Sequence, residues 1–164
     1  MEKSMEGLRK LTELLAALRD KETGCPWFQS LKLETLKLPC VEETAEVVRA
    51  INELEASGDS ANLCEELGDL LTTTLLMIEL CAEDNLFTLE DVVTSANEKM
   101  IRRHPHVFAG EKFDSYEALV ERYKEIKRRE KEGRNPSSVP LFNAFEEVKK
   151  LLDNAKERKL RDLP

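Results

Sequence analysis

An all-α helical bundle is the fold this sequence predicts, and two observations carry it. Apolar residues recur at i, i+3, i+4 and i+7 through most of the chain, the spacing that gives a helix one buried stripe. Of the 164 residues 35% are charged, while Gly and Pro number only six each; that composition suits helices with solvated faces better than a turn-rich sheet. A chain of this length buries roughly 68–70% of its unfolded surface, so its core needs no metal or disulfide staple.

The first helix spans about Ser4 to Arg19, with Leu8, Leu11, Leu14, Leu15 and Leu18 on one stripe. Gly24-Cys25-Pro26 closes it. Trp27 to Leu38 reads ambiguously, although Trp27, the only tryptophan, is expected as a core anchor. Pro39 then fits the first turn of a helix running to Glu53–Ala56, ended by Ser57-Gly58-Asp59-Ser60. Asn62, followed three residues later by Glu65, has the spacing of an N-cap with its capping-box partner. The helix it opens continues to about Cys81, and its second half, LLTTTLLMIELC, is apolar nearly all round, as a helix covered on several sides must be, either centrally in a bundle or against a second subunit. Further helices are expected over Leu89–Arg103, stopped by Pro105, over Ser115–Lys131, and over Leu141–Arg158 after a loop from Gly133 to Pro140.

The formal charge of −8 opposes long-range attraction to nucleic-acid phosphates or anionic membranes. The basic-rich segment Arg122–Arg134 is interleaved with acids and reads as a solvated helix face, not a nucleic-acid tract. No apolar run approaches the roughly 20 residues of a membrane span, and the amino terminus has no signal-peptide core; the expected location is cytoplasmic. Cys25, Cys40, Cys64 and Cys81 form no CxxC pair, so zinc and redox motifs lack support and free thiols, buried or half-buried, are expected.

Chemistry points to two acidic clusters on consecutive helices, Glu42-Glu43-Thr44-Ala45-Glu46 and Glu65-Glu66-Leu67-Gly68-Asp69. Glu42, Glu43 and Glu46 fall within about 100° of arc beside the stripe of Val47, Val48 and Ile51, and Glu66 and Asp69 lie about 60° apart beside Leu63, Leu67 and Leu70. If the two helices pack antiparallel, four or five carboxylates meet at a half-buried seam, repel, and raise one another's pKa. A divalent cation resolves that conflict. Oxygen ligands without His or Cys favour Mg²⁺, with Mn²⁺ as a substitute, and Mg²⁺ habitually bridges to substrate phosphates. One check is imperfect: the clusters stand about 12 residues before the turn and about 8 after it, an offset of roughly 6 Å. The competing account is that these acids are solvated surface charges.

Taken together, CPW at Cys25–Trp27, VEETAE at Val41–Glu46, EELGDLL at Glu65–Leu71 and NEKMIRRHPHVF at Asn97–Phe108 resemble the MazG family of nucleoside triphosphate pyrophosphohydrolases. The resemblance runs from about Leu8 to Lys131. It implies an all-α protein that dimerises or assembles further, uses Mg²⁺, and cleaves a nucleoside triphosphate to monophosphate and pyrophosphate. Carried over by motif position, Glu43, Glu46, Glu66 and Asp69 are metal ligands, and Glu42 adds a ligand or orients water. Lys99 and Arg103, at i and i+4, match the family's Lys-x-x-x-Arg positions and are assigned to the phosphates, although a basic patch at a helix C-terminus has a reading of its own through the macrodipole. Tyr123 and Lys127 stand where relatives have a WxxxK pattern, which implies base stacking and phosphate contact; Asn97 would bond a metal-bound water or the sugar. His104 and His106 belong to the RRHPHVF signature and are read as a structural turn.

Relatives continue CPW with Asp and then a polar stretch, where this chain places Phe28, Leu31 and Leu33 for the Asp, Gln and His. That departure keeps a second expectation open, a non-catalytic nucleotide-sensing or protein-interaction module on the same fold. Residues 1–134 are expected to form the nucleotide pyrophosphohydrolase domain and residues 135–164 a loop and amphipathic helix, with a nucleoside triphosphate as substrate and a second copy of the chain as partner.

Overall fold

The computed structural model describes residues 2–132 and 141–161. Every regular element among them is helical: α1 (Glu2–Arg19), α2 (Pro26–Ser30), a 3₁₀ turn (Leu33–Leu36), α3 (Lys37–Ser57), α4 (Ala61–Glu83), α5 (Leu89–Arg103), α6 (Pro105–Phe108), α7 (Tyr116–Arg129) and α8 (Leu141–Arg161). The expected loop 133–140, and with it the expected domain boundary, lies outside the described residues. The chain divides into two compact units, residues 1–89 with 146–164, and residues 90–145.

In the first unit α3 and α4 form an antiparallel hairpin, with α1 and the 3₁₀ turn packed against α4. Gly58 ends α3 in the left-handed region (φ 75°), its N–H donating to Leu54 O at 2.8 Å, a conformation that glycine adopts without Cβ strain. Pro39 sits in the first turn of α3, where no intrahelical partner awaits its missing N–H. The start of α4 departs from expectation. Ser60, not Asn62, takes the N-cap position, and Asp59 Oδ1 accepts from Ala61 N at 2.9 Å. Asn62 already lies inside the helix and turns to Glu53, donating Nδ2 to Oε2 at 2.6 Å; the neighbouring helix offered its amide a charged acceptor.

The core of this unit is built on Leu36, Leu76 and Leu80, with Phe28, Leu31 and Met77 packed against them. Leu75, Ile78 and Cys81 are also buried, as the all-round apolar character of that stretch requires. Trp27 is not the expected anchor, since it is 66% exposed. Pro26 opens a helix of only five residues, whose apolar contact with the core goes to Phe28, against which the Trp27 ring packs edge-on at 5.0 Å. Of the four cysteines, all free thiols, Cys64 is exposed, contrary to expectation, because it lies on the outer face of α4 near the turn.

In the second unit α5 carries Glu90 and Asp91 in its first turn and Arg102 and Arg103 in its last, matching the helix dipole at both ends. His104-Pro105-His106 forms the turn into α6, with His104 as N-cap and Pro105 at the first helical position. Ser115 caps α7, its Oγ accepting from Ala118 N at 3.1 Å. No helix among the described residues is long and apolar enough to cross a membrane.

Candidate metal and phosphate site

Two cross-helix pairs fix the register of the α3–α4 hairpin, Glu53 with Asn62 at 2.6 Å and Arg49 with Glu66 at 3.1 Å. Both straddle the same mid-point between Ser57 and Gly58, which sets Glu46 level with Asp69 and Glu43 level with Thr72. The remaining offset between the acidic clusters is spanned by the length of the glutamate side chains. Oxygens of Glu43, Glu46 and Glu66 all lie within 4.8 Å of one another. Glu43 is half-buried, Glu66 buried and Glu46 exposed, so the cluster opens to solvent on one side.

Three carboxylates this close repel one another, least where solvent screens the exposed Glu46. Glu43 bears the strain: its carboxyl is pushed above the usual range by burial first, then by Asp69, Glu46, Glu66 and Glu42 in that order. Its Oε2 is buried and finds no hydrogen-bond partner among the described residues. A buried carboxylate oxygen without a donor fits a cation-binding role, since a hard cation supplies the missing positive partner. Arg49 offsets part of the charge by engaging Oε1 of Glu66 at 3.1 Å, while its other terminal nitrogen stands 3.8 Å from Oε1 of Glu53. Sequence reading missed Arg49, although its position three residues after Glu46 and four before Glu53 puts it on the acidic face.

A cavity of about 210 Å³ opens beside these acids. Glu43 and Asp69 line it together with Trp27, Phe28, Leu31 and the hydroxyl-bearing pair Thr72 and Thr73. Asp69 therefore stands at the cavity edge, outside the trio of mutually close oxygens but within its field. The segment in which Phe28 and Leu31 replace polar residues of the resembled family is thus the apolar wall of the cavity that Glu43 and Asp69 also line.

The residues assigned to phosphate and base lie in the second unit. Lys99 and Arg103 fall one turn apart on α5, and Asn97 is exposed on the same helix. Arg103 is held by Glu130, with Nη2 to Oε2 at 2.7 Å and Nε to the same oxygen at 3.0 Å. Arg102 donates to the other oxygen at 2.7 Å. These two arginines, Arg103 foremost, hold the Glu130 carboxyl below the usual carboxylate range. Nothing local in the sequence flags Glu130, which lies 27 residues beyond Arg103. Tyr123 and Lys127 do come together, with Lys127 Nζ 5.5 Å and the Arg103 guanidinium carbon 5.9 Å from the centre of the Tyr123 ring. Two cations thus gather on one aromatic ring.

The family model of the MazG nucleotide pyrophosphohydrolase domain matches residues 31–108. That interval includes both acidic clusters, Asn97, Lys99 and Arg103, and ends before Tyr123 and Lys127. The chain is 34% identical over 152 residues to the nucleoside triphosphate pyrophosphohydrolase/pyrophosphatase MazG of Thermotoga maritima, covering 90% of this chain and 56% of that protein. It is 30% identical over 158 residues to the nucleoside triphosphate pyrophosphohydrolase of Escherichia coli K12, covering 92% of this chain and 59% of that protein. To the uncharacterized protein YabN of Bacillus subtilis it is 37% identical over 132 residues, covering 80% of this chain and 26% of that protein. This chain therefore spans between a quarter and three-fifths of the length of these relatives.

Proposed function

We propose that this chain, whose residues 31–108 match the family model of the MazG nucleotide pyrophosphohydrolase domain, is a metal-dependent nucleoside triphosphate pyrophosphohydrolase. The observation that carries this reading is the convergence of Glu43, Glu46 and Glu66 around an unpartnered buried oxygen of Glu43. Glu43, Glu46 and Glu66, with Asp69 at the cavity edge, would hold Mg²⁺, or Mn²⁺ in its place. When bound there, such an ion would supply polarisation of the phosphate and a more acidic water. Glu42, adjacent to Glu43 in sequence and in charge, adds a ligand or orients the attacking water. Water adds across the α–β phosphoanhydride bond, and the products are nucleoside monophosphate and pyrophosphate.

The apolar wall of Trp27, Phe28 and Leu31 receives the nucleoside by shape and stacking, with Thr72 and Thr73 as the hydroxyl groups at hand. Lys99 and Arg103 serve the phosphates, and Asn97 a metal-bound water or the sugar. Tyr123 gathers Arg103 and Lys127 on its ring, which makes it an organiser of phosphate-binding cations as well as a stacking surface for a base. The protein works as a homodimer or larger homo-oligomer.

The deciding experiment is pyrophosphate release from a panel of ribo- and deoxynucleoside triphosphates with Mg²⁺, beside Glu43→Ala. Monophosphate plus pyrophosphate, falling to background in the variant, is the expected result. A second reading, a nucleotide-sensing module without turnover, is favoured by the apolar Phe28 and Leu31 in the cavity wall; binding of nucleotide and metal with no product from any substrate would select it.

A further inference from the structure

Arg19 is the last residue of α1 and its side chain is only 8% exposed. Its guanidinium meets Glu83, the last residue of α4, through two hydrogen bonds, Nε to Oε1 at 2.6 Å and Nη2 to Oε2 at 2.8 Å. The third nitrogen, Nη1, donates to the carbonyl of Phe28 and, at 3.5 Å, to that of Leu31. Those carbonyls end a five-residue helix that has no side-chain cap at its start. A helix so short has few internal hydrogen bonds; Phe28 O accepts from Leu31 N at 3.2 Å, and the guanidinium adds a second donor there and reaches Leu31 O as well.

Phe28 and Leu31 rest their side chains on the Leu36, Leu76 and Leu80 core, but apolar packing is non-directional and sets no fixed height for the segment. The guanidinium supplies direction. It is planar, and, itself buried, it bonds a half-buried carboxylate and two carbonyls. We propose that Arg19, locked by Glu83, is a positioning residue that holds the Pro26–Leu31 segment as the nucleoside-binding wall of the cavity bearing Glu43 and Asp69. It touches neither the acids nor the cavity; it acts through Phe28 and Leu31. The assignment rests on the nucleotide reading of that cavity. Lysine cannot replace this arginine, because one ammonium cannot reproduce the fork to Glu83 and reach the carbonyls as well.

The test compares the full chain with Arg19→Lys and Glu83→Gln, each first shown to keep its helical circular dichroism. Three quantities are read: KM and kcat for a nucleoside triphosphate, inhibition by inorganic tripolyphosphate, and the fluorescence anisotropy of Trp27 without nucleotide. Trp27 is the single tryptophan and stands in the wall itself. Arg19→Lys should raise KM about tenfold while kcat stays within about threefold, leave inhibition by the base-free tripolyphosphate unchanged, and lower the anisotropy of Trp27. Glu83→Gln, which keeps the shape but removes the charge, should move the same quantities in the same direction by less. Unchanged KM and anisotropy in both variants would overturn the proposal, as would equal weakening of nucleotide and tripolyphosphate. Should the unaltered protein cleave nothing, the pyrophosphohydrolase reading fails by itself, and the Arg19 assignment is decided by the anisotropy and by nucleotide quenching of Trp27.

Discussion

Glu43 is where the competing demands on single residues meet. Its carboxyl is raised above its ordinary pKa by burial and by four neighbouring acids, so between the ordinary value near 4.5 and the raised one the folded protein binds more protons than the unfolded chain. Stability of the metal-free protein must therefore fall as pH rises through that window and stay lower above it. Glu43→Gln removes the charge and keeps the shape. At neutral pH and without metal the variant should melt higher than the parent by roughly 2–4 °C for each kcal/mol of repulsion relieved, with the gain vanishing near pH 4, where both side chains are neutral. With Mg²⁺ or Mn²⁺ the order should reverse, since only the parent gains the stabilisation of a bound ion, about 2.7 kcal/mol at a hundredfold excess over Kd. A variant less stable than the parent in chelator at neutral pH would show that the carboxylate is not strained. The shared faces of Glu43 with Glu46 and of Glu66 with Asp69 were readable because residues three apart on a helix share a face; the Arg103–Glu130 and Arg19–Glu83 pairs were not, because they join residues 27 and 64 positions apart.

Among the elements, the hairpin of α3 and α4 was legible in outline, since the Ser57–Ser60 turn and both helices follow from spacing and punctuation. Its register was not, because register depends on which side chains find partners across the seam, as Asn62 does in Glu53 at the expense of a cap. The segment between α1 and α3 was the least readable, five residues of helix being too short for any period to show. There Gly24 is decisive. A Cβ on it would stand 2.4 Å from Asp20 O, 2.6 Å from Leu18 O and 2.8 Å from Asp20 N, all backbone atoms that have no room to yield. At Gly58 an added Cβ meets nothing within 4 Å, and only the left-handed φ of 75° opposes substitution. Gly24→Ala should thus cost the larger amount, about 3 kcal/mol against about 1 kcal/mol for Gly58→Ala, measured by urea unfolding. The same substitution should loosen Trp27, because Gly24 and Cys25, through bonds to Asp20 O at 3.0 Å and Leu18 O at 2.8 Å, lead directly into α2. Equal costs at the two glycines would place the rigidity elsewhere.

For the whole molecule, the proposed assembly is argued from α4. Its second half is spent on the core of its own chain, through Leu75, Leu76, Ile78, Leu80 and Cys81. Its first half carries Glu66, proposed as a metal ligand and buried, while Leu67 and Leu71, one turn apart on another face, remain 49% and 44% exposed. Burying each such leucine fully is worth about 1.5–3 kcal/mol, and a second copy of the chain offers the same pair in return, as a two-fold interface requires. Acidic replacements at both positions would set four like charges against one another across that axis. Sedimentation at micromolar concentration should give a mass of two chains for the parent and one chain for Leu67→Glu/Leu71→Glu, with helical circular dichroism retained. Turnover should fall with the dimer, because α4 presents Glu66 and Asp69 from positions next to Leu67 and Leu71, and loosening that face disturbs the cation-binding seam. A parent that sediments as one chain while hydrolysing nucleoside triphosphates fully would defeat the dimer and leave the metal site standing, since the convergence of Glu43, Glu46 and Glu66 is complete within one chain.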